Sequence, residues 1–348
     1  MKTGVSNAQC QTKTICHTWV DDSSAWTKTD FDRDDSWIIT LTSDEIDELH
    51  QAIQFARRHD RSPGDLTKSD FPLKDFALKL ANCLHDVQYA RGFVLLRGMA
   101  VSECSEEDAE LLFRGIGTYL GNAVSQNANG DLLGHVRDSG YADYRGQSDI
   151  RGYQTRANLE FHTDVVDVVG LMCLRPAKEG GESLIVSSIT VHNELLKLSS
   201  PHLGLLYGNF LFDRRGEERA GEPLYFVSPL YSFYEGVLSC RPGLIDYIFS
   251  AEKKTGIPLS PAQREALDLF VEQTLRPELQ LSMKLQAGDI QLLNNSVILH
   301  SRTSFVDHKE AGRKRHLLRL WVNVEHGRPV DPDAFPYRNG VPVKTRLA

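Results

Sequence analysis

RANLEFHTDVVDVVGLMCLRP, residues 156–176, places a histidine and an aspartate one residue apart, His162 and Asp164, at the head of a β-branched, apolar run. The run has the composition of a strand entering a core. In a strand, residues i and i+2 project from the same face, so the imidazole and the carboxylate converge. In a helix they would diverge by about 200°. A same-face His-x-Asp pair with one further histidine makes a 2-His-1-carboxylate set, which leaves open positions on a non-haem Fe(II).

The third ligand must come from a strand distant in sequence. His300 closes the β-like run AGDIQLLNNSVILHSR, after a turn at Asn294-Asn295. Two other His-x-Glu triplets compete with the His162 pair. His192-Asn193-Glu194 opens a helical run and His308-Lys309-Glu310 lies in a charged loop; both read as solvated surface. Downstream, KRHLLRLWVNV carries Arg315 and Arg319 among apolar residues. A guanidinium on a buried strand needs a partner. A dicarboxylate would supply one in bidentate form; protein carboxylates or solvent are the alternative.

Outward from these residues, the 348-residue chain has 41% hydrophobic content and a formal net charge of −8. No basic stripe points to nucleic acid. No apolar run is long enough for a membrane helix. The N-terminus lacks the apolar centre of a signal peptide, and the six cysteines form no C-x-x-C pair. The expectation is a cytoplasmic protein with reduced, mostly structural thiols.

Residues 1–35 are polar and read as a loosely held arm, and residues 36–121 as mainly helical. Thr42 to Glu45 has the capping-box form, and Ser105 is placed to cap a further helix. After Gly121, short β-like runs separated by turn residues predict a sandwich or barrel. The segment at about 209–241 is aromatic with a charged tip, and reads either as an insert covering the site, a candidate lid, or as an outer hairpin. The polar stretch before residue 158 suits a substrate-lining loop in which His135, Arg137 and Asp138 meet either substrate or solvent. Residues 326–348 read as a surface tail. GIGTYLG, residues 115–121, has the wrong spacing and context for a dinucleotide fingerprint.

Taken in order, His162-Thr-Asp164, EGGES (179–183), GDIQLLNNSVILHSR and Arg315-His-Leu-Leu-Arg319 resemble the taurine dioxygenase / clavaminate synthase superfamily over roughly residues 90–325. The resemblance implies a mainly β chain with flanking helices: a double-stranded β-helix (jelly roll) spanning 36–325. It implies a dioxygenase dependent on Fe(II), with 2-oxoglutarate and O2 as co-substrates and ascorbate helpful in vitro. It assigns His162, Asp164 and His300 to the metal. Arg315 falls to the distal carboxylate of 2-oxoglutarate, with Ser183 standing where the family often has threonine. Arg319 and Asn158 fall on the substrate side, and Arg319 implies a carboxylate or amino-acid group on the substrate. Asp164 disfavours halogenation, leaving hydroxylation, desaturation or cyclisation. A catalytically silent metal-binding sensor and a metal-dependent hydrolase are the competing readings.

Overall fold

A computed structural model describes residues 14–99, 101, 104–145, 150–219, 221–335 and 338–343. Its centre is two facing sheets. The larger contains β1 (Ile38–Thr40), β2 (Phe93–Arg97), β3 (Asn122–Ala123), β4 (Leu133–Val136), β6 (Val168–Arg175), β14 (Ile290–Asn294) and β17 (His316–Asn323). Its order is β1-β2-β14-β6-β17-β3, with β4 also on β17. The smaller runs β13-β8-β15-β5, from β5 (Leu159–His162), β8 (Ser183–Ser187), β13 (Gln280–Met283) and β15 (Ile298–Arg302). This is the expected jelly roll, and the solved structures described below share its fold.

Alternation along the strands builds two cores. On β2, Phe93 and Leu95 face the space between the sheets, while Val94 and Leu96 face the helices. On β17, Leu317 and Trp321 take the first side and Leu318, Leu320 and Val322 the second. Both faces of the larger sheet are therefore covered, which is why these strands read as continuous apolar runs. The outer layer is α1 (Ser43–Arg58), α2 (Asp75–Tyr89) and α3 (Glu106–Leu120). Thr42 and Glu45 cap α1 reciprocally, and Ser105 Oγ accepts from the Asp108 amide at the start of α3.

Further along, α4 (Ser188–Leu198), α5 (Ser200–Leu205) and α7 (Pro261–Thr274) pack on one another. The segment 209–241 forms two hairpins, β9 (Phe210–Asp213) with β10 (Tyr225–Ser228) and β11 (Tyr231–Tyr234) with β12 (Val237–Cys240). A helix not anticipated from the sequence, α6 (Asp246–Thr255), packs against β9. No helix among the described residues is long and apolar enough to cross a membrane.

Three sequence expectations are corrected. The described part of the N-terminal arm is held firmly, not loosely: Trp26 is buried and its Nε1 donates to the Arg91 carbonyl, while Val20 exchanges hydrogen bonds with the Asn193 side chain. Residues 1–13 lie outside the described residues. His192 is fully buried, with Nε2 2.9 Å from Tyr207 Oη, so this histidine is core and not solvated surface, while Glu194 is half-buried and paired with Lys197 and Arg276. The C-terminal segment also turns inward: Arg328 is buried against Asp22, and Phe335 is buried. In each case a contact remote in sequence decides the burial, and local composition carries no sign of it.

Candidate active site

The site grows from one register. In the β5·β15 ladder, His162 and His300 are direct cross-strand partners. Opposed side chains in an antiparallel pair share a face, and the two imidazole centroids stand 4.2 Å apart. Asp164 lies just past the end of β5, not within a strand as its i+2 spacing implied. A hydrogen bond from its amide to Asn295 Oδ1 holds it there, so the NN turn before β15 anchors the carboxylate. His300 Nε2 is 3.8 Å from Asp164 Oδ2. One donor atom from each of the three residues lies within 4.8 Å of the others, and all three are buried.

The protonation states suit ligation. His162 Nδ1 is 2.8 Å from the Glu160 carbonyl. A carbonyl only accepts, so Nδ1 carries the proton and Nε2 keeps its lone pair. Burial, reinforced by the charge of Arg319, lowers the His162 pKa. Burial and the neighbouring His162 push His300 down to about 3. Burial alone would raise the Asp164 pKa, but Arg319 and the two imidazoles hold it below the usual carboxylate value. Asp164 Oδ2 is buried with no hydrogen-bond partner. An anionic oxygen in that state is costly unless a cation joins it. A shared ion at about 2 Å from each donor would keep the donors within about 4 Å of one another, so these residues fit a metal with little movement.

A second constellation brings Arg302, at the end of β15, together with Arg315, the residue just before β17. Arg315 and Arg302 are both buried, and both guanidinium groups stand against the Phe305 ring, at 5.1 and 4.9 Å. Among the described residues neither has a carboxylate partner within ion-pair distance. Arg315 Nη1 and Arg302 Nε have no hydrogen-bond partner, although Arg302 Nη2 donates to the Ala157 carbonyl. Burial pushes Arg315 down to about 10, and burial together with Arg315 pushes Arg302 down to about 9. Ser183, the cross-strand partner of Arg302, donates to Gln291 Oε1 at 3.0 Å. Arg302 escaped the sequence reading; its place two residues after His300 on β15, on the same face, was the available signal. The EGGES turn bounds this corner. Gly181 has φ +75°, and a Cβ there would stand 3.2 Å from Arg315 Nε.

Arg319 faces the triad from the opposite sheet. Its Nη1 is 3.7 Å from Asp164 Oδ1, its Nε donates to Gln126 Oε1, and its guanidinium lies near the rings of Tyr153 and Trp321. The cavity above the triad is lined by Arg319, Tyr153, Thr163 and Trp321, by Phe212 and Phe226 from the β9–β10 hairpin, and by Phe335 and Arg338 from the C-terminal segment. Segment 209–241 thus walls the cavity, and so do residues expected to form a surface tail. Asn158 is exposed and outside this lining; its carbonyl accepts from Arg145 Nη2.

His135 belongs to a separate grouping with Glu106 and His316. There His316 Nδ1 is 2.9 Å from Arg175 Nη2 and His316 Nε2 is 2.9 Å from His135 Nδ1. Both nitrogens of His316 are engaged, and a guanidinium already sits where a cation would be held. Arg137 does not line the cavity, and Asp138 pairs with Arg156.

The model of the taurine catabolism dioxygenase TauD, TfdA family matches residues 58–321, most of the chain. The chain belongs to this family. It is 33% identical over 320 residues to FR-33289 synthase of Streptomyces rubellomurinus, covering 91% of this chain and 94% of that protein. It is 30% identical over 310 residues to the taurine hydroxylase-like protein SAT17 of Stachybotrys chartarum, covering 86% and 79%. Among solved structures, asparagine oxygenase in complex with Fe(II), 3-hydroxyasparagine and succinate superposes with a TM-score of 0.64 at 18% identity, covering 82% of this chain and 93% of that one. The non-heme iron oxygenase OrfP with Fe and alpha-ketoglutaric acid gives 0.60 at 16%, covering 83% and 94%. These last two likenesses concern the fold. Family membership makes the chain a non-haem iron dioxygenase that uses 2-oxoglutarate.

Proposed function

We propose that His162, Asp164 and His300 hold Fe(II), that Arg315 and Arg302 with Ser183 hold 2-oxoglutarate, and that the enzyme oxidises a small anionic molecule bound in the cavity beside Arg319. The observation that carries this reading is the pairing of two charge imbalances in one fold. A buried carboxylate oxygen without a partner lies between neutral imidazoles, and among the described residues two buried guanidinium groups have no carboxylate within ion-pair distance. A cation answers the first and a dicarboxylate the second. The hydrolase reading leaves both arginines uncompensated, and a silent sensor has no need of the second constellation.

Bound iron and 2-oxoglutarate supply the oxidising chemistry, converting dioxygen and the oxo acid to succinate, carbon dioxide and an oxidised substrate. The protein's own residues perform the rest. His162 is kept in one tautomer by the Glu160 carbonyl, and Asn295 fixes the position of Asp164. Arg302 and Arg315 orient the co-substrate by charge-assisted bonds. Arg319 stands where an anionic substrate group would approach the metal, and the apolar rings of Phe212, Phe226 and Phe335 limit access of water.

The deciding experiment is a small-molecule screen with Fe(II), 2-oxoglutarate and ascorbate, read by succinate release and product mass. A coupled product that gains one oxygen atom, or loses two hydrogens, is expected from an anionic member of the set. Succinate release that does not require iron would refute the proposal.

A further inference from the structure

Charge around the cavity is distributed against the trend of the molecule. The whole chain carries −8. Yet five arginines, Arg151, Arg214, Arg241, Arg319 and Arg338, line the cavity; Arg151 is balanced by Glu217 and Arg214 by Glu222, so Arg241, Arg319 and Arg338 set the sign against the lining carboxylates Asp164 and Asp213. Those carboxylates are occupied. Asp164 belongs to the triad, and Asp213 is held by Lys254 and Ser250. A concave site with a surplus of one sign concentrates ligands of the other.

The surplus is most acute on the wall built by the end of β12 and the C-terminal segment. Asp167 there serves two arginines. Arg241 Nη2 donates to its Oδ1 at 2.7 Å, and Arg338 donates from Nε to Oδ1 at 3.0 Å and from Nη2 to Oδ2 at 3.2 Å. The Val324 amide takes a further share of Oδ2. One buried carboxylate therefore balances two guanidinium groups. The side chain of Arg241 is only 4% exposed, and its Nη1 is buried without a hydrogen-bond partner. Its Nε and Nη2 are both spent on Ser296, and the guanidinium lies against the Phe335 ring, so its plane is fixed. Arg338 is partly exposed to the cavity, with its side chain 33% accessible. A clasp for the C-terminal segment would need one arginine on Asp167. The second adds a repulsive neighbour and an unmet donor, which is expensive in a buried setting unless a ligand completes it.

We propose that Arg241 and Arg338 form an oxyanion subsite in the cavity wall, which takes an anionic group of the substrate other than the one approaching Arg319. The inference deepens the oxygenase reading and rests on it for the identity of the ligand as substrate. The substrate class is then a small molecule with two anionic groups, one near the metal and one at the wall that the C-terminal segment completes. That segment becomes a specificity element, since its displacement removes one arm of the subsite.

Inorganic phosphate is the probe. It is titrated calorimetrically, without oxygen, into the enzyme loaded with Fe(II) and saturating 2-oxoglutarate, so that Arg302 and Arg315 are already engaged. The wild type should bind phosphate at this wall, separately from any phosphate taken up beside Arg319, and the wall equivalent is the one followed. Arg338→Gln removes a charge-assisted interaction of about 1.5–3 kcal/mol, so its dissociation constant should rise by roughly tenfold or more. Arg338→Lys keeps the charge and should fall between the two. In Arg319→Gln the affinity of the wall equivalent should stay within about threefold of the wild type, since the wall's charge-assisted bonds remain in place. Circular dichroism on each variant guards against loss of fold, and Arg338→Lys serves if Arg338→Gln does not fold. No phosphate binding by the wild type overturns the subsite. So does equal binding by wild type and Arg338→Gln, or a loss in Arg319→Gln as large as in Arg338→Gln. Succinate release is measured separately. Phosphate binding without any 2-oxoglutarate turnover would count against the oxygenase reading and leave the subsite standing.

Discussion

Each side chain of the proposed site has a distinct task. Replacing His162, Asp164 or His300 by alanine should abolish coupled turnover and weaken Fe(II) binding, measured by anaerobic equilibrium dialysis; full activity in Asp164→Ala would contradict the triad. The arginines separate by role. Arg315→Ala removes a charged hydrogen-bond partner worth about 1.5–3 kcal/mol, so the apparent constant for 2-oxoglutarate should rise roughly ten- to more than a hundredfold. Arg319→Ala should leave that constant close to the wild-type value and uncouple succinate release from substrate oxidation. A rise in the 2-oxoglutarate constant in Arg319→Ala alone would reverse the two roles. His162 and Asp164 were legible because their spacing is local. His300 needed its strand context. Arg302, Arg241 and Arg338 were not singled out, because their significance lies in what they lack or share. Arg302 lacks a carboxylate, and the other two share Asp167, which is 74 and 171 residues away in the chain.

Secondary-structure elements carry these residues through register and turn chemistry. The pairing of His300 with His162 makes the candidate metal site a property of the β5·β15 ladder. The paired glycines before β8 allow the chain to pass beside Arg315: both have positive φ, and a Cβ on Gly180 would meet the Ser304 carbonyl oxygen. Gly181→Ala combines a left-handed backbone cost of about 1–2 kcal/mol with crowding of the Arg315 guanidinium. It should lower the melting temperature and raise the 2-oxoglutarate constant while leaving Fe(II) affinity unchanged. An unaltered 2-oxoglutarate constant would show that the turn has no part in the co-substrate site. Caps and amphipathic helices were readable because their signals are local, as at Thr42 and Ser105. The helix α6 was not anticipated, because its N-cap position, Ile245, makes no side-chain cap. Its neighbour β9 supplies much of what it packs against.

Across the whole molecule, the described segments 14–35 and 326–343 complete the structure. The N-terminal segment is sewn to α4 through Val20, Ser24 and Trp26, and Arg328 links Asp22 to the C-terminal segment. Such closures depend on the finished fold, so residues 14–35 and 326–343 looked detachable in composition alone. Burying His192 beneath the N-terminal segment has a pH signature. Burial lowers its pKa from 6.5 to about 4. Between those values the unfolded chain binds more protons than the folded one, so stability falls as pH drops from about 6.5 to about 4. The melting temperature of the iron-free protein should fall across this window, and less steeply in His192→Gln. Equal slopes in the two proteins would place the acid sensitivity elsewhere.

The central claim is that one buried triad binds iron and one buried arginine pair presents 2-oxoglutarate to it. The most direct test is an anaerobic titration of Fe(II) into the protein with 2-oxoglutarate, followed by the visible absorption of an iron-chelated oxo acid. The wild type should develop the band and saturate at one iron per chain. Arg315→Ala should develop it only at higher 2-oxoglutarate, and His300→Ala should not develop it. A band of wild-type intensity and stoichiometry in His300→Ala would contradict the account.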